Sequence, residues 1–148
     1  MTYVKRSLIL FIGCLMWTSF ASAGSLPKEA RALIDQGIEA YKAEGAKAGL
    51  QAWLRGGPLE TSKQALTYAA SFSQIEAFFG NLVGYSIPRS KKISDTTVLA
   101  CTVINYRNGP VFARYTLYRR EDGSWIIPSF SLNTDVDEAW PASLLCGD

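Results

Sequence analysis

The sequence predicts an α+β domain in which N-terminal helices pack on a curved four-stranded antiparallel sheet. Three observations carry that expectation. Apolar residues repeat at offsets of three and four up to Gly80 and at offsets of two from Leu82 onward. Asn108-Gly109 sits between two such alternating runs, a strong hairpin signal. Glu121-Asp122-Gly123-Ser124 separates the second of these runs from a third.

After Pro27, residues 28–44 carry apolar or small side chains at Ala30, Leu33, Ile34, Gly37, Ile38 and Tyr41, one helical face. Gly45 ends that helix. A second, over about 46–55, places Leu50, Trp53 and Leu54 together and stops at Gly56-Gly57-Pro58. Thr61 or Ser62 caps a third, over about 62–80, whose buried side is Ala65, Leu66, Ala69, Phe72, Ile75, Phe78 and Phe79. No internal repeat or low-complexity linker divides the chain.

Strands are expected at 82–87, ending at Pro88, and at 97–107, 111–120 and 125–133. With Asn108 and Gly109 in the turn, Tyr106 faces Val111, Ile104 faces Ala113, Thr102 faces Tyr115 and Ala100 faces Leu117. The next turn puts Tyr115 beside Phe130 and Ala113 beside Leu132 on the same apolar face. Pro128 cannot donate to a ladder, so the last strand is an edge or carries a bulge there. The opposite face is mixed, with Cys101, Phe112, Arg114, Trp125 and Ile127, and needs cover from the C-terminal tail or from a second subunit.

The chain has 148 residues, 48% hydrophobic and 19% charged, enough for one domain and too apolar for disorder. Its first 23 residues read as a cleaved signal peptide: Lys5 and Arg6, an apolar run from Leu8 to Trp17, and Ala21-Ser22-Ala23 before Gly24. The apolar run is short for a membrane span, and Gly13-Cys14 is a poor lipidation site because Phe11 precedes it. Residues 24–148 then form the mature domain, periplasmic or secreted, with no stable membrane attachment. Removing Lys5 and Arg6 from the 15 basic residues leaves 13, equal to the 13 acidic ones. A neutral chain has no electrostatic case for nucleic acid. Removing Cys14 leaves Cys101 and Cys146, an even pair in an exported chain, expected as a disulfide stabilising the fold by about 4 kcal/mol.

The absence of histidine excludes Ser-His-Asp hydrolysis, Cys-His proteolysis and imidazole metal sites. Asp35 and Glu39 share a helix surface but lie off its apolar stripe, with Glu39 spaced to pair with Lys42. Asp135-x-Asp137-Glu138 lacks the EF-hand glycine and glutamate, so Asp135 is read as the cap of a helical turn over 136–139. Arg89, Lys91 and Lys92 read as a solvated basic loop. Gly84-Tyr85-Ser86 lacks the second glycine of a nucleophile elbow, and Gly56-Gly57-Pro58 lacks the lysine of a phosphate loop. No catalytic residue, metal or cofactor is therefore expected. Trp53, Tyr106, Tyr115 and Phe130 lie on core faces, where packing is their first role; with Arg114 they are the candidate binding residues.

The closing hairpin, Arg120-Glu121-Asp122-Gly123-Ser124-Trp125-Ile126-Ile127, resembles the D-G-x-W-x-I strand frequent in the nuclear transport factor 2-like (cystatin-like) superfamily. Element order over residues 26–134 is similar too. The resemblance implies a cone with a pocket at its open end and a homodimer through the sheet. Enzymes of that superfamily place an Asp-His dyad or a similar acid and base in the pocket. This chain has no histidine and no carboxylate on the apolar strand face, so a binding role for a small ligand or an envelope protein leads. A cone-pocket enzyme using carboxylates or tyrosines is the alternative.

Overall fold

The computed structural model describes residues 25–140 and 142. The signal peptide, its Ala23–Gly24 cleavage point, Cys14 and Cys146 lie outside the described residues. Three helices, α1 (Lys28–Glu44), α2 (Ala46–Leu54) and α3 (Lys63–Phe79), precede strands β1 (Leu82–Lys92), β2 (Thr97–Tyr106), β3 (Gly109–Arg119) and β4 (Trp125–Asn133). A short helix, α4 (Val136–Ala139), follows. The strands form one antiparallel sheet in the order β1-β2-β3-β4. The predicted α+β class and four-stranded sheet are those of the molecule.

Local chemistry sets the helix ends. Gly45, at φ 88, sends its N–H back to the Tyr41 carbonyl at 2.8 Å and turns the chain straight into α2. Ser62 accepts from the Ala65 N–H at 3.3 Å and caps α3. Asp135 does the same for Asp137 at 2.9 Å, so its carboxylate belongs to α4, while Glu138 takes the Asn133 amide at 2.7 Å.

The α1–α2 pair covers the concave face of the sheet. Ile34, Ile38, Tyr41, Leu50, Trp53 and Leu54 meet Ile104, Val111, Tyr115, Leu117 and Phe130 there. Two glycines permit the close crossing: a Cβ on Gly37 would lie 1.9 Å from the Trp53 indole nitrogen, and one on Gly49 would lie 2.6 Å from the Tyr41 Cβ.

Four expectations are corrected. The β2–β3 turn holds Arg107 and Asn108, not Asn108 and Gly109, so Ile104 pairs with Val111, Thr102 with Ala113 and Ala100 with Tyr115. The turn is tied down by Arg107 N–H to the Asn81 carbonyl and Asn108 N–H to the Phe79 carbonyl, and Gly109 passes where a Cβ would sit 2.9 Å from the Phe79 ring. A shift of two residues keeps the same face inward. Next, β1 does not stop at Pro88. It bulges between Ser86 and Arg89, which leaves the proline outside the ladder and carries Arg89, Lys91 and Lys92 into the strand rather than a loop. The last strand is both an edge and bulged at Ile127–Pro128, opposite the step from Thr116 to Tyr118. That extra residue reverses the alternation, so Trp125 and Ile127 join the concave core instead of the convex face. Finally, α3 buries only Phe72 completely, while Leu66 and Phe78 are 74% and 77% exposed.

On the convex face the chain after β4 does provide cover. Ala139 and Trp140 pack over Cys101 and Phe112, and the Trp140 indole donates to the Ala113 carbonyl at 3.0 Å.

Candidate functional site

The concave face and the helices enclose an aromatic cluster drawn from six elements. Trp53 of α2 lies 5.5 Å from Tyr115 of β3, 5.6 Å from Phe72 of α3 and 6.2 Å from Phe130 of β4, between ring centroids. Tyr41 of α1 meets Phe72 at 5.5 Å and Tyr106 of β2 at 6.4 Å. The Trp53 N–H is satisfied by the Ile34 carbonyl at 3.1 Å, which fixes the ring against α1. Of the five candidate binding residues, the structure therefore brings Trp53, Tyr106, Tyr115 and Phe130 together as enclosed core. Arg114 is apart from them, half-buried on the convex face between Cys101 and Ser131.

Hydroxyls line the sheet side of this interior. Tyr106 donates to the Tyr41 hydroxyl at 3.1 Å, and Glu76 of α3 approaches Tyr41 as well. Burial, then the Tyr106 and Glu76 neighbours, push the Tyr41 phenol far up; burial pushes Tyr106 up to about 12. Tyr115, wholly enclosed, is also raised well above the usual phenol value by burial, with Tyr106 and Tyr85 adding to it. All three stay neutral near pH 7, able to donate or accept a hydrogen bond but not to act as bases.

Among the described residues three buried hydroxyls have no hydrogen-bond partner: Ser131 on the convex face, and Thr102 and Tyr115 among the enclosed ones. Thr102 Oγ1 and the Tyr115 hydroxyl are both fully buried, and neither makes a hydrogen bond. An unpaired buried hydroxyl costs on the order of 1–3 kcal/mol, and neither is satisfied by the protein itself.

At the edge of the cluster Tyr85 of β1 donates to Asp35 of α1, which Arg31 also approaches at 3.6 Å. Asp35 is thus half-buried against the sheet rather than free in solvent as its helix position suggested. Burial, then the Asp35 hydrogen bond, raises the Tyr85 phenol. Asp35, Tyr85, Glu76 and Thr102 were not readable as site residues. The one available sign was that Asp35 flanks the Ile34–Ile38 stripe.

On the convex side Cys101 is fully buried, and in its reduced form burial pushes the thiol up to about 11 against the pull of Arg114. Among the described residues no three His, Cys, Asp or Glu side chains gather as metal ligands, and no helix is long and apolar enough to cross a membrane. A groove of about 560 Å³ near the start of α1 contains Lys92, Asp95, Arg119 and Trp125. Glu29 lines it as well; Lys92 pairs with Asp95 at 2.6 Å and Arg119 donates to the Asp95 carbonyl at 3.4 Å.

No family model matches the chain, and no curated protein does. Among solved structures it is similar to a nuclear transport factor 2-like protein of unknown function from Silicibacter pomeroyi. The two share 14% identity and a TM-score of 0.44, covering 74% of this chain and all of that one.

Proposed function

We propose that this protein is a non-catalytic binding module that holds a small, uncharged, amphipathic ligand inside the cone. The observation that carries the reading is the pair of unpartnered hydroxyls, Thr102 and Tyr115, on a floor otherwise walled by Trp53, Phe72, Tyr106 and Phe130. An apolar body would replace aromatic contacts, and one polar group would complete the two hydroxyls. A charged ligand is disfavoured because the enclosed tyrosines offer it no counter-ion. The ligand enters past α3, the helix with the fewest buried side chains over the cluster.

A thermal-shift screen of small neutral amphiphiles, run on the wild type and on Tyr115→Phe, tests this. Without ligand, deleting an unpaired hydroxyl leaves stability unchanged or raises it by up to about 1 kcal/mol. With a hit bound, the same variant loses about 5- to 10-fold in affinity. A ligand-free Tyr115→Phe protein destabilised by more than about 1 kcal/mol, with no hit on the wild type, rejects the reading: the hydroxyl is then served by a structural water.

Asp35 and Tyr85 favour a second reading, an enzyme whose carboxylate–phenol pair moves a proton at the cone edge. Turnover of any hit, abolished in Asp35→Asn, would select it over the binder.

The same proposal places the protein in the periplasm or outside the cell. The Ala21-Ser22-Ala23 pattern before Gly24 and the even pair Cys101 and Cys146 support cleavage after Ala23 and a Cys101–Cys146 bridge, as does the packing of Ala139 and Trp140 against Cys101, since Cys146 follows Trp140 by only six residues. Two thiols would lose two hydrogens to a thiol oxidant of that compartment. The intact mass of exported protein is expected to match residues 24–148 less two hydrogens. A full-length or acylated mass would reject the cleavage, and two alkylatable thiols would reject the bridge.

A further inference from the structure

Helix α3 carries Ala65, Leu66 and Ala69 at helical spacing, a face that pattern alone sends into the core. Instead it forms one wall of an open groove of about 530 Å³ against α2, whose Leu50 supplies the apolar floor. Leu66 is 74% exposed on that wall. Two cations, Lys47 of α2 and Lys63 at the start of α3, also line the groove and are both exposed. One carboxylate, Glu60, also lines the groove and is held by the Gly56 N–H, which its Oε2 accepts at 2.8 Å, so the lining carries two cations against one anion. The first turn of α3 contains no acidic residue, so the positive end of a 17-residue helix adds to the two lysines and leaves the groove positive despite Glu60.

The groove on the other side of α3 differs where it matters. It has about 470 Å³ between Tyr68, Ile75, Phe78 and Leu132, and no charged residue lines it. Apolar walls alone select no ligand class; apolar walls with two unpaired cations and a helix N-terminus select an anion that carries a hydrocarbon chain.

We infer that the α2–α3 groove binds a free single-chain anionic amphiphile, a fatty-acid carboxylate. Its chain lies along Leu50, Ala65, Leu66 and Ala69, and its head group lies between Lys47 and Lys63. The site is separate from the cone interior and needs no movement of α3. Leu66 and the two lysines are surface residues, so their replacement removes no buried contact.

The test is titration calorimetry of the whole protein with dodecanoate below its micelle concentration, repeated with dodecyltrimethylammonium. Dodecanoate is expected to bind at least about tenfold more tightly than the cation of equal chain length. Lys47→Glu with Lys63→Glu is expected to cost dodecanoate about tenfold or more, and Leu66→Ser several-fold, whereas Phe78→Ser in the uncharged groove changes nothing. Equal binding of the two amphiphiles overturns the inference, and so does full affinity in the double charge reversal. Sedimentation with phosphatidylglycerol vesicles, without dodecanoate binding, also overturns it and makes the face a membrane contact. Should the double variant misfold by circular dichroism, the anion-against-cation comparison on the wild type still decides.

Discussion

Gly37 sits where the Trp53 ring lies closest to α1, and the ring could not sit there over any other residue. A Cβ at that position would be 1.9 Å from Nε1 and 2.1 Å from Cδ1 of the indole, inside contact distance of a rigid, fully buried side chain. Alanine improves helix propensity by roughly 0.5–1 kcal/mol, but it would push Trp53 off the Ile34 carbonyl and out of contact with Tyr115 and Phe130. Overpacking of that kind costs typically about 1–3 kcal/mol, and the lost buried hydrogen bond about 1 more. Gly37→Ala is therefore expected to lower urea stability by about 2–3 kcal/mol and to shift tryptophan emission to the red. Wild-type stability in that variant would show that the indole does not seat over α1. The sequence placed Gly37 on the buried stripe as a small residue; it could not say which partner filled the space. Asp35 was missed for the same reason, since Tyr85 reaches it from a strand 50 positions away.

At the level of elements, what was legible depended on whether the signal was local. Helix ends were, because Gly45, Ser62 and Asp135 act on residues one to four positions away. The pairing of Tyr115 with Phe130 and Ala113 with Leu132 was legible too, since strand parity propagates from a turn. Proline was read half correctly. Pro128 does mark an edge strand with a bulge, as expected, but Pro88 does not end β1, because there too an edge strand accommodates the proline in a bulge. In β4 the bulge reverses every side chain before it, which no alternation count detects. The apolar face of α3 was over-read: its periodicity is real, but α2 and β4 together cover only the middle of it, leaving Leu66 and Phe78 outside.

Taken as a whole, the molecule stores its ionisable groups unevenly, and this sets its response to pH. It has no histidine, so nothing with an ordinary imidazole pKa titrates between pH 6 and 8. Its interior holds weak acids in their neutral form: Tyr106 at about 12, raised chiefly by burial, with Tyr41 and Tyr115 raised by the same cause. In the unfolded chain these phenols ionise near 10. Above that value the unfolded state has lost protons that the folded state still binds, so unfolding is favoured as pH rises. The contribution of each group is complete below its unfolded pKa and is lost on the way up to its folded one. Each adds a slope of about 1.4 kcal/mol per pH unit while only the unfolded form titrates. The urea midpoint is therefore expected to hold level from pH 6 to about 9 and then fall steeply through pH 10–12. Tyr106→Phe, which removes one such acid while keeping its ring, should make that fall shallower. A midpoint that stays constant to pH 12, or a slope untouched by Tyr106→Phe, would mean that these phenols are open to solvent and that the aromatic interior does not close.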